Sequence, residues 1–152
     1  MIHPAPTTKL DPTLARGTIL EVLDATDSSP AKVVLSFPNN SYKCSFDTAD
    51  DLGALRAKIG EIVIGRISAK ARKMVRPLAG GRKIDPCFGT PQRVMGTVIG
   101  IDPVANVLVM DTGAPMIIEL TALDQQASDF ADAEFLACDV LPGTSFAMQM
   151  AD

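Results

Sequence analysis

A chain of 152 residues, 47% apolar and 21% charged, can bury a substantial core and is too apolar and too weakly charged for general disorder. Its net charge of −4 argues against wholesale polyanion binding, but eight of its 14 basic residues lie between Arg66 and Arg93 against one acid, Asp85, while the residues after Arg93 hold nine acids and no Lys or Arg. No apolar run approaches the roughly 18–20 residues of a membrane span.

Residues 1–14 read as a flexible arm. Met1 to Pro12 carries three prolines but neither a basic start nor an apolar stretch of the kind a signal peptide needs. Cys44, Cys87 and Cys138 are odd in number and far apart, which suits a reducing compartment, and the cytoplasm is the expected location. With six Phe, one Tyr and no Trp, the core has to come from Val, Ile, Leu, Met and Ala.

The first strand is expected over Gly17–Asp24, closed by the turn-forming run Ala25–Pro30. Lys32–Phe37 and Tyr42–Phe46 follow as a hairpin around Pro38-Asn39-Asn40, with Val33, Leu35 and Phe37 on one face and Tyr42, Cys44 and Phe46 alternating with Lys43 and Ser45. That parity directs the aromatic residues inward. Thr48-Ala49-Asp50-Asp51 has the spacing of a helix cap, and Leu52, Leu55 and Ile59 recur at helical intervals before Gly60, so a short helix is expected. Glu61–Ile67 reads as strand four and Arg72–Pro77 as a weaker strand five, ended by Gly80-Gly81.

The same order then returns. Gly96–Asp102 answers the first strand at an offset of 79, Val107-Leu108-Val109 answers Val33-Val34-Leu35 at 74, and Met116–Leu120 supplies a third strand. Thr121 answers Thr48 and Glu134 answers Glu61, both at 73; Leu123, Ala127 and Phe130 mark an amphipathic turn or two, and Thr144–Met150 is the last strand. A single deletion between the first two strands of the second half accounts for the drift. The expected organisation is a mainly all-β chain built by internal duplication, with a first unit over 15–78, a basic linker over 79–93 and a second unit over 94–152.

Strand, strand, strand, helix, strand, strand is the order of the OB-fold, and Gly60-Glu61-Ile62-Val63-Ile64-Gly65 resembles the way many such barrels open strand four. The resemblance implies two five-stranded OB-like barrels in tandem, each with one short helix between strands three and four. SH3-like and PilZ-like barrels stay open as alternatives. Arg72-Lys73-Met74-Val75-Arg76 matches the first half of the PilZ motif for cyclic dinucleotides, but no Asp or Asn stands two before Ser128 or Ser145 to supply the second.

Chemistry is sparse. His3, the only histidine, sits in the arm, and no Cys-x-x-Cys or acidic calcium-loop spacing occurs, so no catalytic residue, metal site or cofactor is expected. Gly80-Gly81-Arg82-Lys83 lacks the phosphate-loop frame. The OB resemblance implies a ligand face on strands two and three, which would place Lys43, Lys70, Arg72, Lys73 and Arg76 along a nucleic-acid backbone. The inward aromatic residues and the acidic second half disfavour that use. The preferred reading is a non-catalytic module acting through a protein partner or self-association; weak nucleic-acid binding is the alternative, and a solvated basic linker is the third use of the segment.

Overall fold

The computed structural model describes residues 13–37, 42–86 and 88–149. The chain is predominantly β, with eleven strands among the described residues in one mixed sheet. Strands β1 (Ala15–Leu23), β2 (Lys32–Ser36) and β3 (Lys43–Asp47) form an antiparallel meander, and β7 (Arg93–Asp102), β8 (Val107–Asp111) and β9 (Pro115–Leu120) form a second. Between them run helix α1 (Leu52–Arg56), the long strand β4 (Ile62–Val75) and two short strands, β5 (Lys83–Asp85) and β6 (Phe88–Gly89). A 3-10 turn at Ala127–Asp129, β10 (Phe135–Val140) and β11 (Ser145–Met148) complete the order.

Period-two burial drives the strands as expected. In β2 and β3, Val33, Leu35, Cys44 and Phe46 are fully buried, and Phe37 packs edge-to-face on Phe46 with ring centroids 6.2 Å apart. The helix is shorter than its apolar spacing predicts. Asp51, rather than Thr48, caps it by accepting from the Ala54 N–H at 2.9 Å, and the chain turns off at Gly60, where φ is +89°. Ile59 therefore lies beyond the helix and is exposed. In the second half the amphipathic stretch yields only the 3-10 turn; Ala127 and Phe130 are buried, whereas Leu123 is fully exposed.

The largest departure from expectation is β4. Strand four and the weaker strand five are one 14-residue strand, because Ser68-Ala69-Lys70-Ala71 contains no turn chemistry and keeps the alternation, with Ala69 and Ala71 inward. Both edges of β4 change partner part-way along. One edge pairs antiparallel with β1 through Ile62–Gly65 and then parallel with β9 through Ile67–Ala71. The other pairs with β11 through Gly65–Ser68 and then with β10 through Ala71–Val75, antiparallel in both cases.

These switches close two circuits of hydrogen-bonded strands. The first runs β1, β2, β3, β11, β4 and back to β1; the second runs β7, β8, β9, β4, β10 and back to β7. Each circuit has one parallel pairing, β3 with β11 and β9 with β4. β11 belongs by sequence to 94–152 but pairs with β3 and β4, while the C-terminal part of β4 belongs to 15–78 but pairs with β9 and β10. Part of 79–93 is also in the sheet, since β5 pairs with β7 and β6 with β3. The buried residues of both halves form one core cluster.

The register of the second meander repeats that of the first. Both opening strands carry a β-bulge, between Ile19 and Glu21 and between Val98 and Gly100. Gly17 faces Val63 in β4, and Gly96 faces Leu136 in β10. The backbone of Ile19 exchanges hydrogen bonds with Gly60 and Glu61 at 2.7 and 3.2 Å, and that of Val98 does so with Ala133 and Glu134 at 2.8 and 2.9 Å. One alignment needs correction by a residue. Ile19 faces Leu35 and Val98 faces Met110, so Val33 and Leu35 correspond to Leu108 and Met110 rather than to Val107 and Val109. A slip of one residue would turn the buried set to the solvent face, so burial rather than resemblance of triplets fixes the register.

Ala133 and Gly60 hold corresponding places and both have positive φ, +70° for Ala133. An L-residue in this region costs roughly 1–2 kcal/mol, which glycine avoids. Ala133→Gly is expected to raise stability by about 0.5–1 kcal/mol after the entropy of the more flexible unfolded chain is counted, seen as a rise of roughly 1–4 °C in a thermal scan. A fall in the midpoint would show that no strain is relieved there.

Candidate functional site

The outer face of β4 gathers the basic residues singled out by sequence, but the fold uses them in different ways. Alternation along β4 turns Ser68, Lys70 and Arg72 to the exterior, and the alternation breaks after Arg72, so that Lys73 is exposed as well. Lys70 and Arg72 form no ion pair among the described residues. Lys43 projects from β3, its ammonium 5.9 Å from the centroid of the Phe88 ring.

The remaining cations meet the acids of the second half within the same chain. Lys73 pairs with Asp124 at 2.8 Å, Arg82 with Asp111 at 2.7 Å, Arg93 with Asp139 at 3.0 Å, and Arg76 with Glu134. The Arg76 guanidinium also lies 4.9 Å from the Phe130 ring centroid, covering that buried aromatic. Such exposed pairs contribute little stability and are screened by salt; their larger effect is to fix how the segment lies on its partner strands. Of the five proposed phosphate contacts, Lys73 and Arg76 are thus engaged with carboxylates, Lys43 stands apart beside Phe88, and only Lys70 and Arg72 share one outward surface.

Side chains also cap the backbone across the two halves. The Gln125 amide accepts from the Met74 N–H and donates to the Met74 carbonyl, both at 2.7 Å, and Asp50 accepts from the Met148 N–H at 2.7 Å. Each polar group follows the third strand of one meander and satisfies a strand supplied from the other half, which a backbone donor inside a core requires.

Two concavities flank the outward cations. One, of about 410 Å³, is lined by Ser68, Lys70, Val107, Ile117, Glu119 and Ser145 among others. The other, of about 640 Å³, is lined by Arg72, Asp85, Gln92, Arg93 and Asp139 among others. Neither is lined by a histidine, and the described residues bring together no group of three or more His, Cys, Asp or Glu that could hold a metal ion. The first contains outward residues of β8 and β9, the second and third strands of the later meander, where no site was predicted. Phe88 was also missed: it is 59% exposed in a two-residue strand, too short to leave a periodic signal.

Compared with known protein families, curated proteins and solved structures, the chain matches none. No helix among the described residues is long and apolar enough to cross a membrane.

Ionisation follows the same contacts. The hydrogen bond from Arg76 holds the Glu134 carboxyl below the usual carboxylate range, and the one from Lys73 does the same for Asp124. Stability from both groups is present above the unfolded carboxylate range of about 4 and is lost as pH falls through their lowered folded values. Burial pushes the Cys138 thiol up to about 12. Its contribution is fully present below the unfolded thiol value of about 8.5 and is lost as pH rises from there toward the folded value, by at most about 1.4 kcal/mol per pH unit. Urea midpoints collected between pH 8 and 11 should therefore fall less steeply for Cys138→Ala than for the native chain; parallel slopes would contradict the assignment.

Proposed function

We propose that the chain is a non-catalytic binding and assembly module of the cytoplasm, made of two OB-like barrels that arose by duplication and exchange their fifth strands. Matching bulges, matching registers and the two five-stranded circuits support the duplication, and the single parallel pairing in each circuit accords with OB order. The buried, free thiol of Cys138 suits a reducing compartment.

The reading acts through self-association or a protein partner, and one observation carries it. The opposite charges of the two halves meet inside the chain, in four ion pairs, so the basic segment is not an open track for a polyanion. Among the described residues, apart from a few unpaired charges such as Lys70 and Arg72, what faces water without cover includes an apolar group, Leu20, Ile62 and Ile64, on neighbouring strands β1 and β4. Light scattering over a salt series tests this. An assembly that persists at high salt, as apolar contacts do, supports the reading, and a monomer at every ionic strength overturns self-association.

The second reading, weak nucleic-acid contact, is favoured by the outward Lys70 and Arg72 and by exposed Phe88 beside Lys43. Labelled single-stranded DNA and RNA titrated at low salt should then bind the native chain more tightly than Lys70→Glu/Arg72→Glu. Equal binding removes this surface from consideration.

A further inference from the structure

We infer that the outer face of β1 and the start of β4 is a two-fold interface with a second copy of this chain. This names the surface and partner for the self-association reading and rests on it. The face is apolar at its centre: Ile62 is 62% exposed, Leu20 39% and Ile64 38%, and the register that sets Thr18 opposite Ile62 and Arg16 opposite Ile64 makes the three contiguous. The bulge in β1 turns Leu20 and Glu21 outward together.

One end of the corresponding surface of the second half shows what such a face looks like when covered, although Ile99, at the place of Leu20, is 39% exposed. Met95 stands where Arg16 stands and Ala137 where Ile64 stands, and both are buried. The chain at Gly80 lies directly on Met95, since a Cβ there would fall 2.5 Å from the Met95 methyl, and Arg76 holds Glu134, the counterpart of Glu61. On the first half, no described segment plays that part.

Charge placement selects a second copy as the cover. Arg16 marks one end of the apolar strip, beside Ile64, while Glu21 and Glu61 mark the other, beside Leu20 and Ile62. None of the three forms an ion pair among the described residues. A two-fold axis through the middle of the strip places Arg16 of each copy against Glu21 and Glu61 of the other, so the surface is complementary to itself, as a closed dimer requires. Buried Ile62 and Leu20 would supply the affinity and the rim charges the register.

The test measures mass by light scattering and dissociation by sedimentation on the full chain. The native chain should be a dimer. Ile62→Asp should weaken it by at least about tenfold, whereas Ile99→Asp, at the place in the second half that corresponds to Leu20, should leave it intact. Arg16→Glu should weaken the dimer about tenfold, and adding Glu21→Arg to that variant should restore it, which a merely misfolded variant would not do. A dimer indifferent to Ile62→Asp and Arg16→Glu overturns this interface while leaving self-association standing. A monomeric native chain overturns both, and leaves the strip to residues 1–12 or to a different protein.

Discussion

Gly65→Ala should cost on the order of 3–5 kcal/mol, a large share of the roughly 5–15 kcal/mol that holds a domain of this kind folded. At Gly65 β4 is paired on both edges, facing Ala15 of β1 on one side and Met148 of β11 on the other. A Cβ at this position would fall 2.4 Å from the carbonyl oxygen of Ala147 and 2.5 Å from the ring of Phe146. The ring could turn, but the oxygen belongs to the backbone of a paired strand and cannot retreat without separating β11 from β4. Gly96 is under the same constraint from the Asp111 carbonyl oxygen, 2.3 Å from where its Cβ would stand. Gly96→Ala should be comparably damaging. Gly81→Ala is the matched control, because nothing lies within 4 Å of its added carbon, and it should stay within about 0.5 kcal/mol of the native chain. Urea unfolding compares the three; a native midpoint for Gly65→Ala would show that β11 does not lie against β4 as described.

How much of this was legible in the sequence differs by level. The strands were, because Val33, Leu35, Cys44 and Phe46 announce an inner face by simple alternation, and burial enforces it. The two three-stranded meanders were legible too, opening at the glycines at 17 and 96. The exchange of strands was not. Whether Ser68–Ala71 turns back or runs straight on depends on which strand edge is free to receive it, and alternation reads the same in either case. The one-residue error at Val107 has a similar origin, since three consecutive apolar residues do not say which of them faces inward. For the candidate site, the clustering of cations was plain but their employment was not. Asp124, Glu134, Asp111 and Asp139 lie between 29 and 58 residues from their partners, and only the folded path of β4 and β10 brings the charges together. The apolar strip was hidden for the opposite reason: Leu20, Ile62 and Ile64 look like ordinary strand residues, and their lack of cover emerges only once the covered counterpart is seen.

Phe146→Ala tests the strand exchange itself. Phe146 is buried in β11, near the C-terminal end of the chain, yet its ring centroid lies 6.4 Å from that of Phe46 in β3, and it faces Ile67 of β4. Removing a buried phenyl ring costs about 3–5 kcal/mol, from lost transfer energy and the cavity left behind. In two independent tandem units that loss would fall on the second unit alone. Here it falls on the first circuit, and through β4, which belongs to both circuits, on the whole sheet. Tyr42 is the only tyrosine and the chain has no tryptophan, so tyrosine emission reports the first half selectively; its side chain packs against the common core. Trapping of the buried Cys138 thiol, read by peptide mass so that Cys44 and Cys87 are scored separately, reports the second half. Both signals should move to lower urea together in Phe146→Ala, with a single transition, because the circuits share a strand and cannot open separately. A Tyr42 transition that stays at the native midpoint while Cys138 becomes reactive earlier would mean that the first half is complete without β11, and the exchanged arrangement would fall.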